Sequence, residues 1–196
     1  MINAIKRAAP TSQNQQKRGQ GYEKGNGNFL CFRRNERLAT VNPHWRGNPV
    51  VRGKFVNRQH RFRPGMGSVL KWRLSPNPQR KEKKSVKWSP KLNYLRSLDG
   101  VVGNSLIWLG HNSFFLQLAR KRIMFDPVFG DIPFVKRQSD FPANPDIFTD
   151  IDYLLISHDH FDHLDKQSVA RLVKNNPGMK LFCGLGTGEL IKGWFP

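Results

Sequence analysis

The stretch Ile151–Asp165, IDYLLISHDHFDHLD, is an apolar run followed at once by three histidines. The apolar part, Ile151–Ser157, is typical of a strand buried on both faces, as in a sheet covered by helices. Such a strand holds the residues that follow it rigidly, while their side chains reach solvent. The sequence therefore predicts an α/β fold with a polar site at the end of one buried strand.

The residues after this strand follow the pattern His-x-His-x-Asp-His and are His158, His160, Asp162 and His163. Imidazole nitrogens and carboxylate oxygens are ligands that Zn²⁺ prefers. We expect His158 and His160 to converge on one ion, and Asp162 and His163 to turn towards a second. Two ions so placed can activate water for attack on phosphorus. The alternative is a solvated loop whose histidines are incidental, and their density argues against it.

Short apolar runs upstream predict antiparallel strands, with SLIWLG and SFFLQLA on either side of a turn that starts at Gly110–His111. A basic turn, RKR, leads into a third strand, IMFDP. Residues 130–150 hold three prolines without periodicity and predict a long loop, which in a compact domain is usually functional.

The residues after the histidines predict a further helix, strand and helix. Asp165 is expected to N-cap a helix over KQSVARLVKNN, and a cap is favoured over a catalytic role for it. That helix has Val169, Leu172 and Val173 on one face. KLFCG predicts a strand, and Thr187 is expected to cap the last helix.

The charge is confined to one half of the chain. Residues 1–100 carry 23 Lys and Arg against 4 Asp and Glu, whereas residues 101–196 carry 10 of each. A basic half predicts contact with an anionic partner, either a phospholipid membrane surface or nucleic acid. The two cysteines, Cys31 and Cys183, form no framework and favour a reducing compartment. We expect a cytoplasmic protein, because no secretory signal is recognisable, although the Arg-rich, acid-poor start could mimic an organellar transit peptide. Peripheral membrane association is expected from the basic half.

Composition divides the chain into three parts. Residues 1–28 are predicted to be a disordered basic tail, and residues 29–98 a basic, irregular extension that wraps a core made elsewhere. Within the extension, RLSPNPQRKEKKSVKWSPK is interpreted as an exposed linker. Its aromatic residues could enter a membrane interface or act as core anchors, and a core role is favoured for Trp45, Phe55, Phe62 and Trp72. Residues 99–196 form the α/β part.

HDHFDH matches the HxHxDH signature of the metallo-β-lactamase fold hydrolases, a family that this chain resembles. The signature alone selects no substrate, because lactamases, glyoxalase II, RNA-processing nucleases and lactonases share it. IWLGHNSFFLQL, RIMFDPVF and LLISHDHFDHLD, in that order, are similar to one branch, the N-acylphosphatidylethanolamine-hydrolysing phospholipases D and their bacterial relatives. The resemblance covers roughly residues 105–190, and residues 1–95 add little to it.

The resemblance implies an αββα sandwich of which this chain is the first half. It also implies two zinc ions per complete site, with His158, His160, Asp162 and His163 as ligands. Asp162 would also position the attacking hydroxide, and further ligands would come from a second half. A half-sandwich would expose its sheet face and favour association, including a homo-oligomer. From this chain alone we expect one weakly held zinc and little turnover.

Two residues outside the signature are candidates by the same resemblance. Asp126 would orient a ligand histidine, or it is simply a turn residue that ends a strand before Pro127. His111 would lie near the pocket without binding metal, or it is a turn histidine hydrogen-bonded to backbone.

The sequence is compatible with three functions. The first is a zinc-dependent phosphodiesterase of phospholipase D type. The second is a nucleic-acid-binding protein or nuclease of the same superfamily, with the basic half as a phosphate track. The third is a non-catalytic remnant.

Overall fold

The computed structural model describes residues 23–25, 28–36, 42–57, 65–88, 90–132, 137 and 139–195. The chain divides into two units, one ending at Lys87 and the other running from Trp88 onward. Among the described residues, no helix combines the length and apolar character needed to cross a membrane. Most of the predicted tail, residues 1–22 and 26–27, lies outside the described ranges.

The N-terminal unit contains a four-stranded antiparallel sheet. Its strands are β1 (Glu23–Gly25), β2 (Asn28–Arg33), β3 (Asn48–Val51) and β4 (Lys54–Phe55), in that order across the sheet. Phe32 and Val50 are buried in it. Regular strands thus replace the irregular structure that we predicted, because the strands are only two to six residues long and their apolar residues do not alternate in a recognisable pattern.

Two helices follow. Helix α1 (Met66–Leu74) lies mostly before the predicted linker, in the extension predicted to be irregular, and α2 (Arg80–Ser85) lies within the predicted exposed linker. Arg, Lys and Glu are good helix formers, which explains α2 despite its lack of apolar periodicity. Neither helix has a buried residue. The core role favoured for Trp72 is wrong, since this side chain is 78% exposed. Trp45 and Phe55 are also exposed, and Phe62 lies outside the described residues.

The C-terminal unit is built on a mixed five-stranded sheet. The strands are β5 (Ser105–Gly110), β6 (Ser113–Leu118), β7 (Lys121–Phe125), β8 (Tyr153–Ile156) and β9 (Lys180–Cys183), again in chain order. The first three pair antiparallel, whereas β8 is parallel to both β7 and β9. The predicted strands are confirmed.

One face of this sheet packs against helix α3 (Lys166–Asn175), helix α4 (Thr187–Trp194) and the loop before β8. Phe115, Met124 and Leu154 have no exposed surface. Burying each such side chain contributes about 1.5–3 kcal/mol to the hydrophobic stabilisation. Val169 and Leu172 face this core as predicted, whereas Val173 is exposed, contrary to the prediction.

Turns and caps differ from the predictions in two places. The β6–β7 turn is Ala119–Arg120, with φ of 46° and 62°, so Lys121 and Arg122 belong to the strand instead of the turn. Gly186, with φ of 96°, occupies the N-cap of α4, and Thr187 is a buried first residue of the helix. The N-cap role of Asp165 is confirmed by its bond from the Ser168 amide at 2.8 Å.

The opposite face of the C-terminal sheet carries two cross-strand rows of apolar side chains, which we call the open face. Several members are strongly exposed, including Leu106 at 65%, Trp108 at 54% and Phe182 at 52%. The first row is Leu106, Leu116, Ile123 and Tyr153, and the second is Trp108, Phe114, Phe125, Leu155 and Phe182.

Candidate metal centre

The site lies where the parallel strands β7 and β8 end side by side. Asp126 follows β7 and Ser157 follows β8, so parallel pairing brings two positions 31 residues apart into contact. The Asp126 amide donates to the Leu155 carbonyl at 3.0 Å, and the Ser157 amide donates to Asp126 Oδ1 at 2.7 Å. The sheet register therefore fixes the Asp126 carboxylate at the base of the site.

Asp126 is the acceptor at the centre of a hydrogen-bond network. Its Oδ2 atom accepts from Ser157 Oγ at 2.6 Å and lies 2.8 Å from His163 Nδ1. The carboxylate is buried, and its backbone φ of 39° lies in the left-handed region. Holding the backbone of a non-glycine residue in that region costs of order 1 kcal/mol or more, and residues with such strained backbones cluster at functional sites. The interpretation of Asp126 as only a turn residue therefore does not account for its contacts.

The histidine loop is closed by a tight turn anchored in the core. The amides of His163 and Leu164 both donate to the His160 carbonyl, at 2.9 and 2.8 Å, and the Leu164 side chain is buried. This turn brings the imidazoles together: the ring centroids of His158 and His163 are 4.0 Å apart at an interplanar angle of 47°, and those of His158 and His160 are 4.6 Å apart at 71°.

The acceptors in the network determine which ring nitrogens carry protons. A carboxylate can only accept, so His163 donates to it through Nδ1–H and keeps a lone pair on Nε2. Ser157 gives its single proton to the same carboxylate, so its oxygen accepts from His158 Nδ1–H at 2.9 Å. His158 Nε2 then accepts from His160 Nδ1 at 3.1 Å. His158 and His163 thus both keep an Nε2 lone pair, as metal ligation requires.

The β5–β6 turn contributes the other side of the site. His111 Nε2 lies 3.1 Å from Asp162 Oδ2, and Asn112 Nδ2 lies 2.9 Å from His163 Nε2. His111 has a φ of 50°, and its carbonyl accepts from Trp108 Nε1 at 2.9 Å. The alternative for His111, a ring hydrogen-bonded to backbone, is not what the structure shows, since the ring contacts Asp162.

The electrostatics keep Asp162 ionised. The hydrogen bond from His111 lowers the pKa of the Asp162 carboxyl, and partial burial opposes this effect. An unprotonated carboxylate beside Nε2 lone pairs is suited to metal ligation or to accepting a proton from water.

The donor chemistry fits a borderline ion such as Zn²⁺, because imidazole lone pairs and an ionised carboxylate lie together. In the ranges that the structure describes, no three His, Cys, Asp or Glu side chains already surround a single point as ligands. The His160 and Asn112 contacts instead satisfy the two Nε2 lone pairs. The ligand set His158, His160, Asp162 and His163, with Asp162 as the catalytic residue, remains a prediction.

Sequence reasoning missed Ser157 and Asn112. Ser157 was considered only as the last residue of an apolar run, and Asn112 as part of a turn. The available signal for these two residues was the adjacency of Ser157 to His158. Their contacts depend on strand pairing and on turn geometry, which the sequence pattern does not specify.

The comparisons with known proteins agree with this fold. The family model of the Beta-lactamase superfamily domain matches residues 121–196. This segment includes β7, Asp126, β8 and the whole histidine loop. This segment is therefore similar to the domains of that superfamily, and the chain carries part of a metallo-β-lactamase-like fold.

Particular relatives are of two kinds. An N-acyl-phosphatidylethanolamine-hydrolyzing phospholipase D 1 of Caenorhabditis elegans is 28% identical over 160 residues, covering 74% of this chain and 45% of that protein. A UPF0173 metal-dependent hydrolase of Sulfolobus acidocaldarius is 36% identical over 78 residues, covering 39% of this chain and 31% of that protein. The chain thus spans less than half the length of these relatives.

The worm alignment covers more of the chain than residues 96–196 can supply, so the similarity extends into the N-terminal half. The expectation that residues 1–95 add little to the resemblance is therefore wrong. Among solved structures, CmlA, a diiron beta-hydroxylase from Streptomyces venezuelae, is similar with a TM-score of 0.30 at 19% identity, covering 64% of this chain and 24% of that one.

Proposed function

We propose that this chain is part of a metal-dependent hydrolase of phospholipase D type that cleaves N-acylphosphatidylethanolamine. Water would add to phosphorus, the P–O bond to the ethanolamine side would break, and phosphatidic acid and N-acylethanolamine would be released. The observation that carries the proposal is the network in which Asp126 and Ser157 leave the Nε2 atoms of His158 and His163 unprotonated. The identity of the substrate is supported by the similarity to the worm phospholipase.

The residues of the chain would share the chemistry as follows. His158, His160, Asp162 and His163 would hold zinc, which when bound supplies Lewis-acid activation of water and of a phosphoryl oxygen. Asp162, with its lowered pKa, would accept a hydrogen bond from the attacking water and orient it. His111 holds Asp162 in place, and Asp126 orients His163.

Metal binding is tested first, by titrating Zn²⁺ into the metal-free chain and by thermal unfolding with and without chelator. A ligand at 100 times its Kd stabilises the folded state by about 2.7 kcal/mol, so a rise in Tm with zinc and its loss on chelation are expected. His158→Ala and His163→Ala should each abolish the rise, whereas His44→Ala, at an exposed histidine of the N-terminal unit, should not. Equal Tm values with and without zinc would contradict the proposal.

Substrate class is tested by product analysis in the presence of zinc, with the 196-residue chain and with any longer native form. N-acylphosphatidylethanolamine, phosphatidylethanolamine and single-stranded RNA are compared in parallel. N-acylethanolamine release that is lost in Asp162→Asn supports the proposal. RNA cleavage without lipid cleavage would instead support a nuclease of the same superfamily.

The partner proposed for the N-terminal unit is an anionic phospholipid surface. Helix α1 exposes Leu70, Trp72 and Leu74 together with Lys71 and Arg73, and α2 adds a run of exposed lysines. The apolar side chains of α1 alternate with the basic ones instead of forming a separate face, so the proposal rests on charge: each Lys or Arg near an anionic membrane contributes about 1 kcal/mol. Peripheral membrane association in the cytoplasm follows from this proposal.

Nucleic acid remains the second candidate partner, because the same exposed Trp72 and basic residues could stack on bases and neutralise phosphates. Sedimentation with vesicles of phosphatidylserine and phosphatidylcholine, and with single-stranded RNA, at low and physiological salt separates the two. Trp72→Ala should weaken vesicle binding more than Trp45→Ala does. Tight RNA binding without vesicle binding at physiological salt would contradict the membrane proposal.

A further inference from the structure

Ser157 contacts three groups of the site although its own surface is exposed. Its Oγ lies 2.6 Å from Asp126 Oδ2, 2.9 Å from His158 Nδ1 and 3.3 Å from His163 Nδ1. Its amide also donates to Asp126 Oδ1. The backbone contact would be kept by any residue at this position, whereas the hydroxyl contacts are specific to Ser or Thr.

The hydroxyl has one proton to donate, and the distances decide where it goes. The bond to the carboxylate is the shortest of the three, as expected for an O–H donor and an ionised acceptor. The oxygen then accepts from His158, because no proton is left for donation to it. His163 needs no help from Ser157, since its Nδ1 is closer to Asp126, at 2.8 Å.

We infer that Ser157 is a positioning residue that fixes the Nδ1–H tautomer of His158. Its hydroxyl donates its only proton to Asp126, so its oxygen must accept a hydrogen bond from His158 Nδ1–H, and we call this chain of two hydrogen bonds the relay. Asp126 thus sets two histidines, His163 by direct contact and His158 through the serine hydroxyl. The structure gives no hydrogen bond between Asp126 and His158 themselves, so the relay explains how one carboxylate orders both rings. The significance for metal affinity rests on the proposed function, whereas the tautomer itself does not.

The test measures imidazole tautomers directly in the metal-free, ¹⁵N-labelled chain, by long-range ¹H–¹⁵N correlation at a pH where the rings are neutral. In the wild type, His158 and His163 should both show Nδ1–H. In Ser157→Ala, His158 should lose that single tautomer while His163 retains it. Ser157→Thr should restore the wild-type pattern, and Ser105→Ala, at a serine whose hydroxyl donates to the Val102 carbonyl, should change neither ring. Retention of a pure Nδ1–H tautomer of His158 in Ser157→Ala would overturn the inference.

Zinc affinity provides the second measurement and separates the two proposals. Loss of a partner that orients a ligand typically lowers metal affinity about 10- to 100-fold, and Ser157→Ala should fall in that range, with Thr near wild type. If the tautomer changes as expected but the wild type binds no zinc, the relay stands and the proposed metal function fails. If zinc binds with equal affinity in Ser157→Ala and the tautomer is unchanged, the relay fails and the metal function stands.

Discussion

The Nδ1 atom of His163 lies 2.8 Å from Oδ2 of Asp126, a residue 37 positions earlier in the chain. The contact exists because β7 and β8 are parallel neighbours whose carboxyl ends meet at the same sheet edge. It joins a strand end to a loop, and it sets both the orientation of the imidazole and the position of its proton.

Replacing Asp126 should therefore impair both metal binding and stability. Asp126→Asn keeps the shape of the side chain but replaces one of its two acceptor oxygens by an NH2 group. The wild-type carboxylate accepts hydrogen bonds from the Ser157 amide, the Ser157 hydroxyl and His163 Nδ1–H, and asparagine cannot accept all three. We expect zinc affinity to fall about 10- to 100-fold and the free energy of unfolding to fall by about 1–3 kcal/mol. Calorimetric titration and urea denaturation measure the two effects. Asp140→Asn, at an exposed carboxylate, is the control, and wild-type affinity in Asp126→Asn would contradict the prediction.

Removing the Asn112 amide should have the opposite effect on metal affinity. Its Nδ2 donates to His163 Nε2, the atom proposed to bind metal, so zinc has to displace this hydrogen bond. A typical hydrogen bond is worth about 1 kcal/mol, so Asn112→Ala should raise zinc affinity up to about fivefold. Competition with a chromophoric chelator measures the change, with Asn93→Ala as control. A lower affinity would show that Asn112 assists metal binding instead.

The Asp152 side chain should make stability depend on pH at the acid end. Hydrogen bonds from Lys121 Nζ, at 2.6 Å, and from the Arg122 amide, at 3.0 Å, lower the pKa of this carboxyl. A lowered folded-state pKa gives stability that is present above the unfolded pKa, about 3.9, and is lost as the pH falls through the folded value.

Asp152→Asn should accordingly destabilise the chain at pH 7, by no more than about 1 kcal/mol because the pair is partly exposed. The difference from wild type should shrink between about pH 5 and pH 2. Urea midpoints across that range test this, and Asp150→Asn is the comparison, since Asp150 is much more exposed and lies 3.5 Å from Arg122. A difference that grows on acidification would reverse the sign and refute the assignment.

The β6–β7 turn should be improved by glycine. Ala119 and Arg120 both have positive φ, which type I′ turns require and which non-glycine residues adopt at a cost. Arg120→Gly should raise the free energy of unfolding by about 0.5–1 kcal/mol, after allowing for the greater entropy of glycine in the unfolded chain. Thermal unfolding tests it. The control, Arg96→Gly, at an exposed position outside the positive-φ set, should not stabilise.

The order of strands and helices from Ser105 onward was predictable because each element carries its own pattern. The apolar run before His158 indicated a buried strand, and Asp165 indicated a helix start. The sequence could not give the network at Asp126, because it depends on which strands are neighbours. An irregular loop without periodicity lies between the FDP segment and β8. No local sequence pattern therefore indicates that β7 and β8 pair with each other.

The N-terminal strands and helices were not predicted, also for a physical reason. Two to six residues per strand are too few for alternation to be distinguished from chance among Arg, Asn and Gly. Helices α1 and α2 bury nothing, so no apolar periodicity could reveal them.

The open face gives the C-terminal sheet two unlike responses to mutation. Side chains alternate along each strand, so Leu106 and Phe182 meet water while Met124 and Leu154 are enclosed. Truncation to alanine at the enclosed positions costs about 2–5 kcal/mol, whereas lysine at 106 or 182 removes apolar surface from water and should be tolerated. A saturation library of this chain would show period-two tolerance along β5–β9. In a longer form of the protein, or in a complex, that covers these rows, the open-face positions would also be sensitive to mutation. The tolerance pattern from the library would therefore show whether the open face is covered.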